Sequence, residues 1–390
     1  MALLSSERAR WWLVLSAQFA TVAAPLALLP FLSIYLEQLS GADAKSVAIW
    51  AAAVASAPAI CAVLSTPIWA HFAATQPIAR LLCLSCLLNS LSVLLQAQVV
   101  SIELFILARA LQGLTGIGIL LLLVVDHRKK SAGLAYSGLQ QALAAGCIAG
   151  PLLGGLALDH DSLPVLLTIF SSIMALLGIF CGFAFRGIPR PSNEKSDDQS
   201  PLRLPIMGTR KLILSGALAT AGAFGFMPFF AAWAMERNPA VFTASLIGII
   251  HAGSWTAAIL ALPSWGKKAE AGGEMAVMRL SITGSVAALL LLLASSSVLW
   301  VFLSRIVHGA FYSGFPPSFF SHLGRSEQRL ANLAIGRTTN TLGQITGPAI
   351  CGITASVAGN SGALIAAALL TIAGAVLLYF QSEKPFHDAG

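Results

Sequence analysis

A chain of 390 residues that is 57% hydrophobic and only 10% charged, with a mean hydropathy of +0.81, lies outside the soluble globular class, in which about a quarter of residues are charged. Twelve apolar spans of about 20 residues would use roughly 240 positions, which leaves short loops and no room for a separate catalytic domain. The net charge of +7 could suggest nucleic acid, but the basic residues sit at the ends of apolar stretches, as membrane topology requires, so no nucleic-acid partner is expected.

In chain order, Arg8 and Arg10 precede an apolar run that continues to about Leu36. That run outlasts a signal peptide, so it reads as an uncleaved first helix. Spans follow at 11–36, 47–70, 79–98, 101–125, 132–158, 163–185, 210–234, 242–263, 277–295, 297–320, 329–357 and 361–381. The longest polar interruption, 186–209, contains RGIPRPSNEKSDDQSPLRLP and has the composition of a flexible linker. It divides the chain into a first half, 1–185, and a second half, 210–390. With the N-terminus in the cytoplasm, 18 Lys and Arg fall on the cytoplasmic side, and only Lys45 and Arg237 on the other. This asymmetry predicts both termini inside and an even number of spans.

The six cysteines, including the Cys83–Cys86 pair, all lie in apolar stretches. They read as small core residues, with no metal site.

Three motifs recur at nearly constant spacing. Pro67-Ile-Trp69 matches Pro263-Ser-Trp265, Arg109-Ala-Leu-Gln112-Gly113 matches Arg305-Ile-Val-His308-Gly309, and Gly150-Pro151 matches Gly347-Pro348, at offsets of 196, 196 and 197. The expected fold is an all-α membrane protein with twelve transmembrane helices in two parallel six-helix repeats. In the fifth span Gly146, Gly150 and Gly154 recur every four residues beside Pro151 and Gly155. They form a side-chain-free stripe suited to close helix packing. Gly343, Gly347, Pro348 and Gly352 repeat the pattern in span eleven.

The whole chain resembles the major facilitator superfamily. AAGCIAGPLLGG resembles the fifth-helix signature of the drug:proton antiporter branch, and FILARALQGLTGIG, from Phe105 to Gly118, resembles the fourth-helix signature. The resemblance places both glycine-proline helices where the two halves meet, as a seam about which the halves rock. It also implies a cytoplasmic latch after helix two. There the first half departs from the pattern, with Ala70 and Ala74 at the expected glycine and aspartate positions. The second half keeps Gly266 and has Glu270 at the acidic position. Asp126 is the remaining candidate for a latch carboxylate in the first half.

Charges inside a membrane are costly and mark function by default. Arg109 and Arg305 fall within spans, with Arg337 a third such cation, while no Asp or Glu falls deep in any span. A positive cavity favours an anionic or zwitterionic cargo. The candidate substrate contacts are Arg109, Gln112, Arg305 and Tyr312; the resemblance implies that helices seven and ten line the cavity, so Phe226, Phe230 and Trp233, with Trp255, are the expected apolar wall. The resemblance adds Gln18 and Thr21 beside Arg109. Proton coupling would fall to His251 or His308, or to Glu37 or Glu103 if the spans are shifted outward.

The expected function is proton-coupled export of a small amphipathic anion, a drug or a siderophore-like metabolite, across the inner membrane. An importer or uniporter of an organic acid or sugar is the alternative, and a non-transporting sensor a third. The chain is expected to work as a monomer without a cofactor, and no enzyme constellation is seen.

Overall fold

The computed structural model describes residues 6–118, 120–121, 132–186, 207–295, 297–324 and 329–381. The linker, apart from its ends, and Asp126 lie outside these residues.

The first half begins with α1 (Glu7–Ser40), started by Ser6, whose hydroxyl accepts from the Ala9 amide. Its interior is interrupted by a 3-10 turn at Leu29–Phe31, where Pro30 removes a backbone donor. α2 (Ala44–Thr75) is capped by Asp43 and contains Pro58 and Pro67. α3 is Ile78–Gln98, and α4 is Ile102–Leu114 with Ser101 as cap. The predicted span is interrupted at Thr115–Gly116, where Gly116 adopts φ 63, and helix resumes at Ile117. A Cβ on Gly116 would lie 2.3 Å from the Trp69 ring, so only glycine fits. α5 (Ala132–Asp159) and α6 (Leu163–Ala184) complete the half.

The second half repeats the scheme. α7 comprises Met207–Gly225 and Phe230–Arg237 around a 3-10 turn at Met227–Phe229. α8 (Ala244–Lys268) runs through a π-helical turn, Ala269–Gly273, into α9 (Glu274–Ala294). α10 consists of Val298–Tyr312 and Phe315–Gly324. The last run, Arg329–Tyr379, breaks at Ala358 and Gly359 into α11 (329–357) and α12 (360–379).

The repeat extends to individual bonds. Trp69 donates its Nε1–H to Leu114 O and Trp265 donates to Ala310 O, both at 2.7 Å and both across 45 positions. A Cβ on Gly113 would lie 2.1 Å from Pro58 O, and one on Gly309 would lie 2.0 Å from Ser254 O. The same glycine therefore lets α2 reach α4 and α8 reach α10 at backbone distance. The two 3-10 turns also meet between the halves, where Ser33 donates to Pro228 O at 2.8 Å.

The glycine stripe does not face the way the sequence suggested. Cβ atoms on Gly146, Gly150 and Gly154 would meet Phe19 O, Ala23 O and Ala27 O, all on α1 of the same half. Gly343 and Gly347 likewise face Ala217 and Ala221 on α7. These stripes pack within each half. The seam between halves uses their neighbours, one position round the helix. Gly155 lies against Ala244 O and Gly248 against Pro151 O where α5 meets α8, and Gly352 lies against Ala48 and Ala52 where α11 meets α2. The physical reason is the 3.6-residue turn: an i, i+4 stripe covers one face, and the adjacent residue points about 100° away.

Candidate functional site

Between the halves lies a cavity of about 800 Å³. It opens toward the end of the bundle carrying Gly266 and Glu270 and is closed at the opposite end. Closure comes from the α5–α8 and α2–α11 seams and from the paired 3-10 turns. At that end Asp159, the last residue of α5, accepts from the Ala244 and Ser245 amides at 2.9 and 2.8 Å. A carboxylate of one half thus caps the helix that opens the seam in the other.

Polar side chains line the cavity: Arg305, His308 and Tyr312 from α10, Gln140 from α5, and Asn340 and Gln344 from α11. Arg305 is 8% exposed, and its Nη2 lies 3.5 Å from His251 Nδ1. A guanidinium only donates, so His251 Nδ1 is the acceptor and its ring proton sits on Nε2. A proton on Nδ1 would remove that acceptor and set two cations side by side. The Arg305 guanidinium also stands 5.0 Å from the centre of the Phe230 ring. Its Nε has no hydrogen-bond partner, and no carboxylate among the described residues pairs with it. His308 stacks on Tyr312 with ring centres 5.8 Å apart. The Tyr312 hydroxyl donates to Thr220 at 3.5 Å, and Thr220 in turn bonds Asn340, which links α10, α7 and α11.

Arg109, the repeat mate of Arg305, has a different setting. Its Nε donates to Val54 O at 3.4 Å and its Nη1 to Gln112 Oε1 at 2.5 Å. Gln112 also accepts from Gln96 at 3.4 Å. The guanidinium is buried and hydrogen-bonded inside the first half, and neither Arg109 nor Gln112 lines the cavity. Gln18 and Thr21 are half-buried on α1 and also lie outside the cavity lining, with the Thr21 hydroxyl bonded to Ala17 O.

The aromatic trio is placed differently from its expected position. Phe226, Phe230 and Trp233 pack on one another at 5.8 to 6.2 Å in the closed end of the bundle. The 3-10 turn at Met227–Phe229 carries the chain past the cavity there, so Phe224 and Met227 join Trp255 in the apolar lining instead. Glu37 and Glu103 are exposed at the closed end, away from the cavity. Arg337 is exposed on α11. Gly266 and the exposed Glu270 line the open mouth.

One carboxylate outside the predicted spans is nonetheless buried against the cavity. Glu274, 4% exposed, lines the cavity near its mouth and lies 3.4 Å from His322 Nδ1, with a further bond from Ser321. The sequence pattern does not mark it, because α9 starts three residues before the predicted span, out of a polar AEAGG turn that reads as a loop.

Two six-helix halves around a central cavity define a membrane transporter. The chain belongs to the Major Facilitator Superfamily, whose profile it matches over residues 12–242 and 212–389. It is 26% identical to the staphyloferrin B transporter of Staphylococcus aureus, over 85% of this chain and 82% of that one. It is also 26% identical to the multidrug resistance protein MdtG of Escherichia coli, over 92% of this chain and 90% of the relative. Among solved structures it resembles the nucleoside transporter NupG, with a TM-score of 0.77 and 16% identity over 95% of this chain and 97% of the other. It resembles equally an inward-facing bacterial homologue of the lysosomal transporter Spinster, with a TM-score of 0.78 and 13% identity over 95% of each chain.

Proposed function

We infer that the protein exports a small amphipathic anion across the inner membrane by proton-coupled alternating access, working as a monomer with both termini in the cytoplasm. On that orientation the observed state is inward-open, ready to load from the cytoplasm. The observation that carries the reading is Arg305: a buried cation facing a cavity, with no carboxylate partner among the described residues. A carboxylate or similar oxyanion on the cargo would supply the missing charge-assisted bonds. Phe224, Met227 and Trp255 would cover the cargo's apolar part.

Relatives named for staphyloferrin B and for multidrug resistance support export of either a secreted metabolite or a drug. His251 holds Arg305 in place, and His308, stacked beside it, is the residue we assign to proton exchange. Glu37 and Glu103 stand too far toward the closed end for that role.

The test is uptake of a fluorescent carboxylate and of its methyl ester into inside-out vesicles. Export by exchange predicts uptake of the acid driven by an acidic vesicle interior, and slow uptake of the ester. Uptake equally fast without a proton gradient would favour a uniporter.

A further inference from the structure

A second crevice lies on the outside of the first half, away from the cargo cavity. It occupies about 760 Å³ between α3 and α6. Its rim carries Arg80 and Arg186, both exposed and neither in an ion pair with a described residue. Arg186 rests its guanidinium 4.5 Å from the Phe183 ring centre. Arg10 adds a third cation nearby, where its Nε donates to Ala184 O at 2.7 Å. Below the rim the walls are Leu84, Leu87, Ile179 and Phe183, between 38% and 49% exposed. The crevice is therefore cationic at the membrane surface and apolar toward the membrane interior.

The other half shows what keeps it open. Cys83 and Gly182 form its floor, where a Cβ on Gly182 would lie 3.2 Å from Cys83 Cβ. Their repeat counterparts, at offsets of 196 and 197, are Arg279 and Tyr379. Those large side chains fill the matching place between α9 and α12. Arg279 lies 5.6 Å from the Tyr379 ring centre and donates to Gln381 O at 3.0 Å, while the Tyr379 hydroxyl is 3.1 Å from Thr283 Oγ1. One half bridges this place with two large side chains, and the other sets a cysteine and a glycine there.

We propose that the α3–α6 crevice is a binding site for an anionic phospholipid. Arg80 and Arg186 hold the phosphate, and the acyl chains lie along Leu84, Leu87, Ile179 and Phe183. Basic pockets between transmembrane helices on the cytoplasmic side suit anionic headgroups, with each arginine contributing affinity. A zwitterionic lipid keeps the acyl contacts but brings a compensating cation to the rim, so it binds more weakly. The site is independent of the cargo and of the transport direction.

Native mass spectrometry of the full-length protein in detergent, titrated with phosphatidylglycerol or phosphatidylcholine, tests this. Phosphatidylglycerol should be retained preferentially. Arg80→Gln and Arg186→Gln should each weaken its retention roughly fivefold, and Arg279→Gln should leave it unchanged. Gly182→Tyr, which fills the crevice as Tyr379 does its counterpart, should abolish the preference. Since Arg80 and Arg186 are exposed, their variants keep the test valid even if Gly182→Tyr folds poorly. Equal retention of the two lipids, or unchanged retention in both arginine variants, would overturn the proposal. Displacement of the lipid by millimolar inorganic phosphate would also overturn it, by showing a free-anion site.

Discussion

Arg109 and Arg305 occupy the same place in two copies of one six-helix unit, yet only Arg305 of the two lines the cavity between the halves. Arg109 spends its guanidinium on Val54 O and Gln112. Among the described residues Arg305 has only a histidine nitrogen and the face of a phenyl ring, and it lines the cavity. The difference comes from the neighbours three residues on. Gln112 offers an acceptor to Arg109, whereas its counterpart His308 turns to stack on Tyr312. A duplicated fold can thus hold one cation within its own half and leave the equivalent one facing a cavity, and the partner decides which is which.

The largest expected effect separates the two arginines. Arg305→Gln should cut transport of an anionic cargo by at least about 30-fold, since removing one partner of a buried charged pair costs roughly 2–5 kcal/mol. Arg109→Gln should lower thermal stability while leaving the apparent affinity for cargo near that of the parent. Vesicle uptake and thermal unfolding of the purified variants give both readings.

The glycine motif sharpens the same contrast between packing within a half and contact across halves. Gly154→Ala would set a Cβ 1.8 Å from Ala27 O. It should destabilise the protein by about 1–3 kcal/mol, as overpacking does, with a lower melting temperature whatever the conformation. Gly155→Ala would set its Cβ 2.3 Å from Ala244 O across the seam. It should instead favour the state in which that seam is open, read as increased labelling of cysteines introduced near the closed end.

Asp159→Asn acts at the same seam with a smaller push. Loss of the carboxylate at the α8 N-terminus is worth about 1 kcal/mol at an exposed site, or roughly a fivefold shift toward the population in which the seam is open. Distance measurements between spin labels on α5 and α8 would report it. The smallest effect is expected for His251→Gln, which keeps an acceptor for Arg305 and should reduce transport only a few-fold. His308→Gln should flatten the pH dependence of transport, and an unaltered pH profile would remove His308 from the coupling step.

Much of this was legible in the sequence. The offset of 196 between Trp69 and Trp265 and between Arg109 and Arg305 announced the repeat, because a duplicated helix pair must repeat its close contacts at equal spacing. Hydropathy located the helices for the same reason that lipid demands them. What sequence spacing could not supply was direction. A four-residue stripe shows that Gly146, Gly150 and Gly154 share a face, but which helix covers it depends on how six helices are arranged. The aromatic residues of α7 were legible as a group, yet the turn around Pro228 sends Phe226, Phe230 and Trp233 to the closed end. Glu274 was hidden because its burial comes from α10 and the cavity wall, while its local sequence is that of a polar turn. Arg109 and Arg305 look alike in sequence because the groups that distinguish them come from other helices as well as their own.

The central claim is that Arg305, and not Arg109, carries the anionic cargo. Reconstituting the parent, Arg305→Gln, Arg305→Lys and Arg109→Gln in liposomes, and measuring uptake of a carboxylate and its methyl ester, tests it most directly. The account predicts that Arg305→Gln loses preference for the acid, that Arg305→Lys keeps part of it, and that Arg109→Gln keeps all of it. Equal preference for the acid in the parent and in Arg305→Gln would contradict it.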